Sequence, residues 1–386
     1  MRGNEGMVYC GIDNVEQYDD FLKGKRLALI TNPTGVNRDL KSSIDVLNEL
    51  YDVTLLFSPE HGVRGDKQAG EHVESYVDEK TGIEVFSLYG STRDIPPHLN
   101  ERYDVLIYDI QDTGSRFYTY ISTLLNCLKS CGMNQKLFMI LDRPNPIGGH
   151  IVEGNRLEPE LLSFVGCYPM PQRYGLTPGE FAMMANEMLE IGCDLVVAKL
   201  SGYQRNMLFN EMNLTFINPS PNIPTLESEL LYNGTCYFEG TSLSEGRGTT
   251  KPFEIIGAPW IDAEQLAKVM NEKQLPGVKF RATHFTPTFS KHQGVLCQGV
   301  QIHIIDEKIV RSVELGLELL KETQKMTVEE DFFISPPFEQ DQAFFDKLCG
   351  TKAIRLGELE IDSFIKQCEK DSRAFEQQKM KYHLYD

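Results

Sequence analysis

The chain has 386 residues, 41% hydrophobic and 24% charged, which allows two or three domains with sizeable cores. Its formal net charge of −18 repels phosphate backbones and anionic lipid. Nucleic-acid and membrane-surface binding are therefore disfavoured, and any anionic ligand needs a local Arg or Lys cluster. No stretch is apolar for long enough to span a membrane, and the first residues, MRGNEG, carry no apolar signal segment. Nine scattered cysteines show neither CxxC pairs nor Cys/His zinc spacing. They are expected to be buried thiols without a disulfide framework, including Cys127 and Cys131 at i,i+4 on a predicted helix.

Short apolar runs at residues 25–31 (KRLALIT), 53–58 (VTLLFS), 85–88, 105–110 (VLIYDI) and 137–141 (LFMIL) read as strands. None alternates with polar residues, as expected of strands covered by helices on both faces. Helices are predicted over 40–51 and 116–131, the second closing at Gly132. Thr177-Pro-Gly-Glu180 opens another, with Thr177 as N-cap, Pro178 at the first position and Glu180 at the third. A further strand follows at 194–199 (DLVVAK). This βαβ rhythm predicts an α/β domain with a doubly wound, mostly parallel sheet. Residues 216–225 (FINPSPNIPT) read as an extended crossing. Beyond about residue 230 the character changes, with strands predicted at 278–285 and 295–305 and helices at 309–323, 341–348 and 361–378. The expected division is therefore residues 1–230, and a smaller α+β unit over 231–386.

In open α/β sheets, ligands bind beyond the carboxyl ends of the strands. Four polar clusters fall at such places or at the domain junction. In SPEHGVRG, starting at Ser58, Pro59 and Gly62 turn the chain sharply and bring Glu60 to the crevice with His61 and Arg64 nearby; capping a turn is the alternative role for Glu60. DIQDTGSRFY, starting at Asp109, places Asp109, Gln111, Asp112, Arg116 and Tyr118 beside a buried strand, where desolvation is costly without partners or a ligand. The two aspartates are alternatively caps of the next helix, a role that suits Arg116 poorly because a cation there opposes the helix dipole. In DRPNP, starting at Asp142, two prolines stiffen a loop carrying Arg143 and Asn145, with an Asp142–Arg143 brace as the alternative. The fourth cluster, from Glu239 to Phe253, puts Glu239, Glu245 and Arg247 in a glycine-rich loop that is very polar for a linker. It has neither Walker nor GxGxxG spacing, so no nucleotide cofactor is expected.

On SPEHGVRG, DIQDTGSRFYTY, DRPNP and EGTSLSEGRGTTKPFE, in that order, the chain resembles the NamZ-type exo-β-N-acetylmuramidases from about Gly11 to its C-terminus. The resemblance implies a Rossmann-like N-terminal domain, a smaller C-terminal domain and an active site in the cleft between them. It implies removal of terminal N-acetylmuramic acid from the non-reducing ends of peptidoglycan fragments, and a catalytic acid at the Glu of the PEHG motif, Glu60 here. It also implies work outside the cytoplasm, although no leader is visible.

Glycoside hydrolysis usually needs one carboxyl group to protonate the leaving oxygen and a second as base or nucleophile. Burial or a neighbouring carboxylate is expected to raise the pKa of Glu60. Asp112 and Glu245, then Asp109 and Glu239, are the candidates for the second role, and the sugar's own acetamido group is another. A guanidinium fork suits the lactyl carboxylate of N-acetylmuramic acid. Arg64, Arg116, Arg143 and Arg247 are candidates, with Arg116 and Arg247 favoured, while Tyr118 or Phe253 would stack on the sugar. His61, Gln111, Asp142 and Asn145 complete the expected binding set, with no metal and no cofactor.

Three rival readings are weaker. Ser363-Phe-Ile-Lys366 and Lys80-Thr-Gly82 mimic serine β-lactamase motifs, but in reversed order and without SDN or GxSxG. Glu60-His61 hints at a metallohydrolase, yet the eight histidines contain no HExxH and no spaced pair. A non-catalytic sugar-binding protein fits two domains with a cleft, but gives no reason to crowd that cleft with acids.

Overall fold

The computed structural model describes residues 7–59, 62–65, 75–89, 93–328, 331–336, 338 and 341–386. Seven strands form one sheet: β1 (Arg26–Thr31), β2 (Asp52–Ser58), β3 (Ser75–Val77), β4 (Glu84–Ser87), β5 (Val105–Asp109), β6 (Leu137–Leu141) and β7 (Asp194–Ala198). Their order is β3-β4-β2-β1-β5-β6-β7, with all pairs parallel except the β3–β4 edge. The helices of this half are α1 (Asp19–Leu22), α2 (Ser43–Leu50), α3 (Thr119–Asn134) and α4 (Pro178–Met188).

The apolar runs have two buried faces because alternate side chains enter different cores. Ala28 and Ile30 pack with Phe57, Leu106 and Phe138 under α3 and α4. Leu27 and Leu29 point the opposite way and pack with Ile107 and Met139 under α2 and the N-terminal segment. Each such aliphatic side chain contributes roughly 1.5–3 kcal/mol on leaving water.

Local signals set the helix starts. Ser42 caps α2, its hydroxyl accepting from the Ile44 amide at 3.2 Å, so this helix begins later than residue 40. At α4 the predicted capping box is present: Thr177 Oγ1 accepts from Glu180 N at 3.2 Å, and Glu180 Oε2 accepts from Thr177 N at 3.0 Å. The predicted helix from residue 116 instead begins at Thr119, leaving Arg116 outside it. β3, three residues at a sheet edge, is too short to leave a pattern in the sequence.

The C-terminal half contains α5 (Leu226–Thr235), α6 (Ala263–Glu272), α7 (Ser312–Met326), α8 (Phe344–Cys349) and α9 (Ile361–Lys379). Its antiparallel sheet has the order β8 (Ile255–Ala258), β10 (Cys297–Ile304), β9 (Val278–Phe285). The sequence reading does not include α5, β8 or α6. α5 and α7 cross at two glycines: a Cβ on Gly234 would lie 1.8 Å from the Ser312 carbonyl oxygen, so only glycine permits this approach.

Buried ion pairs and the C-terminal tail tie the two halves together. Glu153 binds Arg173 at 2.6 Å and accepts from the Val313 amide in the first turn of α7 at 3.1 Å. Tyr385 OH donates to Asp142 Oδ2 at 2.6 Å, and the Leu384 amide donates to Glu180 Oε1 at 2.8 Å. All nine cysteines are free thiols, and eight of them are buried.

Candidate active site

Strand order reverses between β1 and β5, because β2 adds to one edge of β1 and β5 to the other. Loops diverge at such a switch point and leave a crevice at the carboxyl ends of the strands. Thr31 ends β1 beside Asp109, which ends β5, and Thr31 Oγ1 donates to the Asp109 carbonyl at 2.8 Å. The crevice beyond is lined by Val36 and Arg38 from the β1 loop, Gln111 from the β5 loop and Arg143 from the β6 loop, with Phe216 from the crossing segment and Glu229 from α5.

The loops are cross-braced. Thr34 Oγ1 donates to Asn32 Oδ1 and accepts from the Gln111 amide at 2.9 Å. Gln111 Nε2 donates to the Asp112 carbonyl at 2.9 Å and to the Pro144 carbonyl at 2.8 Å. Arg143 forks onto Asp109, with Nε to Oδ1 at 2.6 Å and Nη2 to Oδ2 at 2.9 Å. The Arg143 side chain thus pairs with Asp109 between neighbouring strand ends, while its backbone amide donates to Asp142 Oδ1 at 3.1 Å, so the alternative Asp142–Arg143 brace is present through the main chain alone.

Neither Asp109 nor Asp112 caps α3. Asp112 Oδ2 accepts from the Gly114 amide at 2.9 Å and from the Tyr174 hydroxyl, and its Oδ1 is buried with no hydrogen-bond partner among the described residues. Burial pushes Asp112 up to about 6, against the downward pull of Tyr174 and the Gly114 amide. Gly114 has φ +74° and a Cβ there would stand 2.6 Å from Asn145 Oδ1, so the β5 loop needs glycine at this position.

An aromatic ladder joins this loop to the glycine-rich junction loop. Tyr118 packs edge-on against Tyr120 and Tyr232, Tyr232 packs against Phe253, and the Arg247 guanidinium lies 5.2 Å from the Phe253 ring centroid. Arg247 Nη2 binds Glu239 Oε1 at 2.6 Å, and its Nε lies 3.3 Å from Glu245 Oε1. Lys291 pairs with the other Glu245 oxygen at 2.7 Å, so this buried carboxylate sits between two cations.

The model of the NamZ exo-β-N-acetylmuramidase N-terminal domain matches residues 27–227, and that of its C-terminal domain matches residues 230–385. The chain is 48% identical over 384 residues to the peptidoglycan β-N-acetylmuramidase NamZ of Bacillus subtilis strain 168, covering 98% of this chain and 91% of the relative. The chain belongs to the NamZ exo-β-N-acetylmuramidase family. It is a glycoside hydrolase. Two crystal structures of DUF1343 family proteins from Bacteroides fragilis share the fold. One has TM-score 0.90 and 37% identity over 99% of this chain and 100% of its own; the other has 0.78 and 30% over 98% and 99%.

Of the motif residues of this NamZ family member, Glu60 and His61 lie outside the described residues. Arg64 holds Asp78 through Nε at 2.5 Å and Asp45 through Nη2 at 3.0 Å, keeping the Asp78 carboxyl below the usual carboxylate range.

 Arg116 is fully buried. Its guanidinium donates to the Asn155 and Met170 carbonyls at 2.8 and 2.7 Å, and to the Leu348 and Cys349 carbonyls at 2.9 and 3.3 Å. This corrects the expectation that it reaches a substrate carboxylate, because its donors join the two halves of the chain.

Asp142 and Asn145 also turn inward. Asp142 accepts from Thr177 Oγ1 and the Gly179 amide, both at 2.8 Å, and from Tyr385, so it holds the start of α4 and the C-terminal tail. Asn145 Nδ2 donates to the Leu176 carbonyl at 3.0 Å. Phe253 is 1% exposed beneath Tyr232 and Arg247, which leaves no face for a sugar. The rival serine motif does not assemble: Ser363 and Lys366 are exposed on α9, while Lys80 pairs with Asp45 at 2.5 Å.

Sequence reasoning misses Arg38, Tyr174 and Glu229. Arg38 sits in a turn-rich loop without a motif, and Tyr174 is far from Asp112 along the chain. Glu229 reads as an ordinary acid in the first turn of a helix, where the dipole favours one.

Proposed function

We propose that this family member is an exo-acting β-N-acetylmuramidase, releasing terminal N-acetylmuramic acid from the non-reducing ends of peptidoglycan fragments. Glu60 is its general acid and Asp112 its second carboxyl group. The observation that carries this reading is the crevice at the β1–β5 switch point, where Gln111, Arg143 and Glu229 line the opening and Asp112 follows Gln111 with one oxygen unpartnered among the described residues. Among the four carboxyl groups considered for the second role, Asp109, Glu239 and Glu245 are each bound by arginine. The name of the Bacillus subtilis relative supports the substrate class. A base titrating near the working pH also suits proton transfer.

The test is hydrolysis of a chromogenic N-acetylmuramide, with the N-acetylglucosaminide as control, by the wild type and Glu60→Gln. Release from the muramide alone is expected, with a loss of at least ~100-fold in a variant that keeps its fold. Tight binding of muramic acid without release of either sugar would replace the enzyme by a binding protein.

A further inference from the structure

Glu229 belongs to none of the four motifs, yet it lines the crevice from α5. It is 1% exposed, and its Oε2 has no hydrogen-bond partner among the described residues. An orphaned polar atom so deeply buried is costly unless a ligand completes it. Its chemistry follows from its surroundings. Burial, and then the charge of nearby Asp112, push the Glu229 carboxyl well above its ordinary range. Two carboxyl groups close together in a buried place do not both ionise readily, so Glu229 holds its proton while Asp112 is the one that ionises first. A carboxyl kept neutral by its site acts as a hydrogen-bond donor.

The cations of the crevice differ in availability. Arg143 is neutralised by Asp109. Arg38 instead donates to the Val8 and Asn213 carbonyls and lies over the Tyr9 ring at 4.8 Å, with no carboxylate paired to its guanidinium among the described residues. Asp13, which also lines the crevice, accepts from the Arg38 backbone amide at 2.9 Å, so the crevice combines a guanidinium free of a direct carboxylate pair among the described residues with a buried neutral acid.

We propose that Glu229 recognises the carboxylate of the substrate sugar, donating a hydrogen bond to it from a neutral carboxyl, while Arg38 supplies positive charge in the same crevice. A hydrogen bond from an acid to a carboxylate is short and charge-assisted, and it requires an anionic ligand. The assignment rests on the muramidase reading above and adds to it the residues that would separate N-acetylmuramic acid from N-acetylglucosamine.

The experiment is calorimetric binding of N-acetylmuramic acid and of N-acetylglucosamine to the wild type, Glu229→Gln and Glu229→Leu. Glu229→Gln keeps a donor and should bind both sugars about as the wild type does. Glu229→Leu should lose about tenfold or more for N-acetylmuramic acid, the loss of one hydrogen bond to a charged group, with little change for N-acetylglucosamine. The wild type supplies an arm that needs no variant. Burial holds the Glu229 carboxyl well above its ordinary range, so raising the pH far enough to ionise it should weaken N-acetylmuramic acid binding, and Glu229→Gln should remove that dependence. The other titratable groups around it are Asp112 and the crevice-lining Cys10, Asp13, Arg38 and Arg143. Asp112 is pushed up to about 6 and Cys10 up to about 12, and both remain in Glu229→Gln, so any dependence they cause persists in that variant. A Glu229→Leu protein that binds N-acetylmuramic acid normally, or loses both sugars equally, overturns the assignment, as does a pH dependence that survives in Glu229→Gln. A wild type that binds neither sugar overturns the functional reading beneath it.

Discussion

Arg143 and Asp109 form a buried two-point pair that fastens the end of β6 to the end of β5 on the floor of the crevice. Removing one partner leaves an uncompensated buried charge, whereas removing both leaves none. Asp109→Ala or Arg143→Ala should therefore each cost about 3–5 kcal/mol, and the double variant Asp109→Leu/Arg143→Met should cost less than the sum. Urea denaturation of the three proteins measures this. Single variants as stable as the wild type but unable to bind sugar would move the pair from scaffold to substrate contact.

Arg116 makes a contrasting prediction. Its guanidinium serves four carbonyls and no carboxylate among the described residues, so Arg116→Met orphans several buried acceptors at once. With each orphan costing about 1–3 kcal/mol, thermal unfolding should shift down by several degrees or more. KM of whatever protein remains folded should be unchanged. A stable Arg116→Met enzyme with a raised KM for muramides would return Arg116 to the binding site.

What was legible in the sequence follows from how local each signal is. The central strands, the parallel sheet and the α4 capping box each depend on adjacent residues, and the structure contains all of them. Two of the four polar strings also reach the crevice, since Gln111 and Arg143 line it. Partner choice is the part that local patterns do not carry. Arg143 lies beside Asp142 in the chain but binds Asp109, and Tyr174 reaches Asp112 across 62 positions. Arg116 reads as a ligand for an anion because a cation at a helix start opposes the dipole; its partners are carbonyls, which every residue has and which no pattern marks. α5 is missed for a related reason: Ser228 to Thr235 are all buried, so no polar face alternates with an apolar one.

Asp142 gives a pH dependence of stability. Burial pushes it up to about 7, opposed by the hydrogen bond from Tyr385, while the unfolded chain leaves it near the ordinary aspartate value. Between those two pH values the folded state holds a proton that the unfolded state has released. Stability therefore falls as pH rises through this window, by up to about 1.4 kcal/mol per unit, and the fall ends above the folded pKa. Asp112 adds the same sign over a narrower window ending near 6. Asp142→Asn should flatten the decline between pH 4 and 7 relative to the wild type, measured by denaturation at fixed ionic strength. An unchanged slope would mean that Asp142 is ionised in the folded protein.

The identity of the second carboxyl group separates Asp112 from Glu245. Glu245 is held between Arg247 and Lys291, so its charge is already balanced and its removal leaves two cations without their acid. Glu245→Gln should therefore act mainly on stability, by breaking buried ion pairs. Asp112 has one oxygen unpartnered among the described residues and is pushed up to about 6, so at neutral pH it is ionised and able to accept a proton. Asp112→Asn should lower kcat by roughly 100-fold or more with KM little changed, since proton transfer is lost and binding is not. The wild-type kcat should rise with pH through about 6 as Asp112 loses its proton, and this ascending limb should be missing from Asp112→Asn. If Glu245→Gln instead shows the kcat loss with its stability intact, the base lies in the junction loop and Asp112 supports the loop through Tyr174 and Gly114.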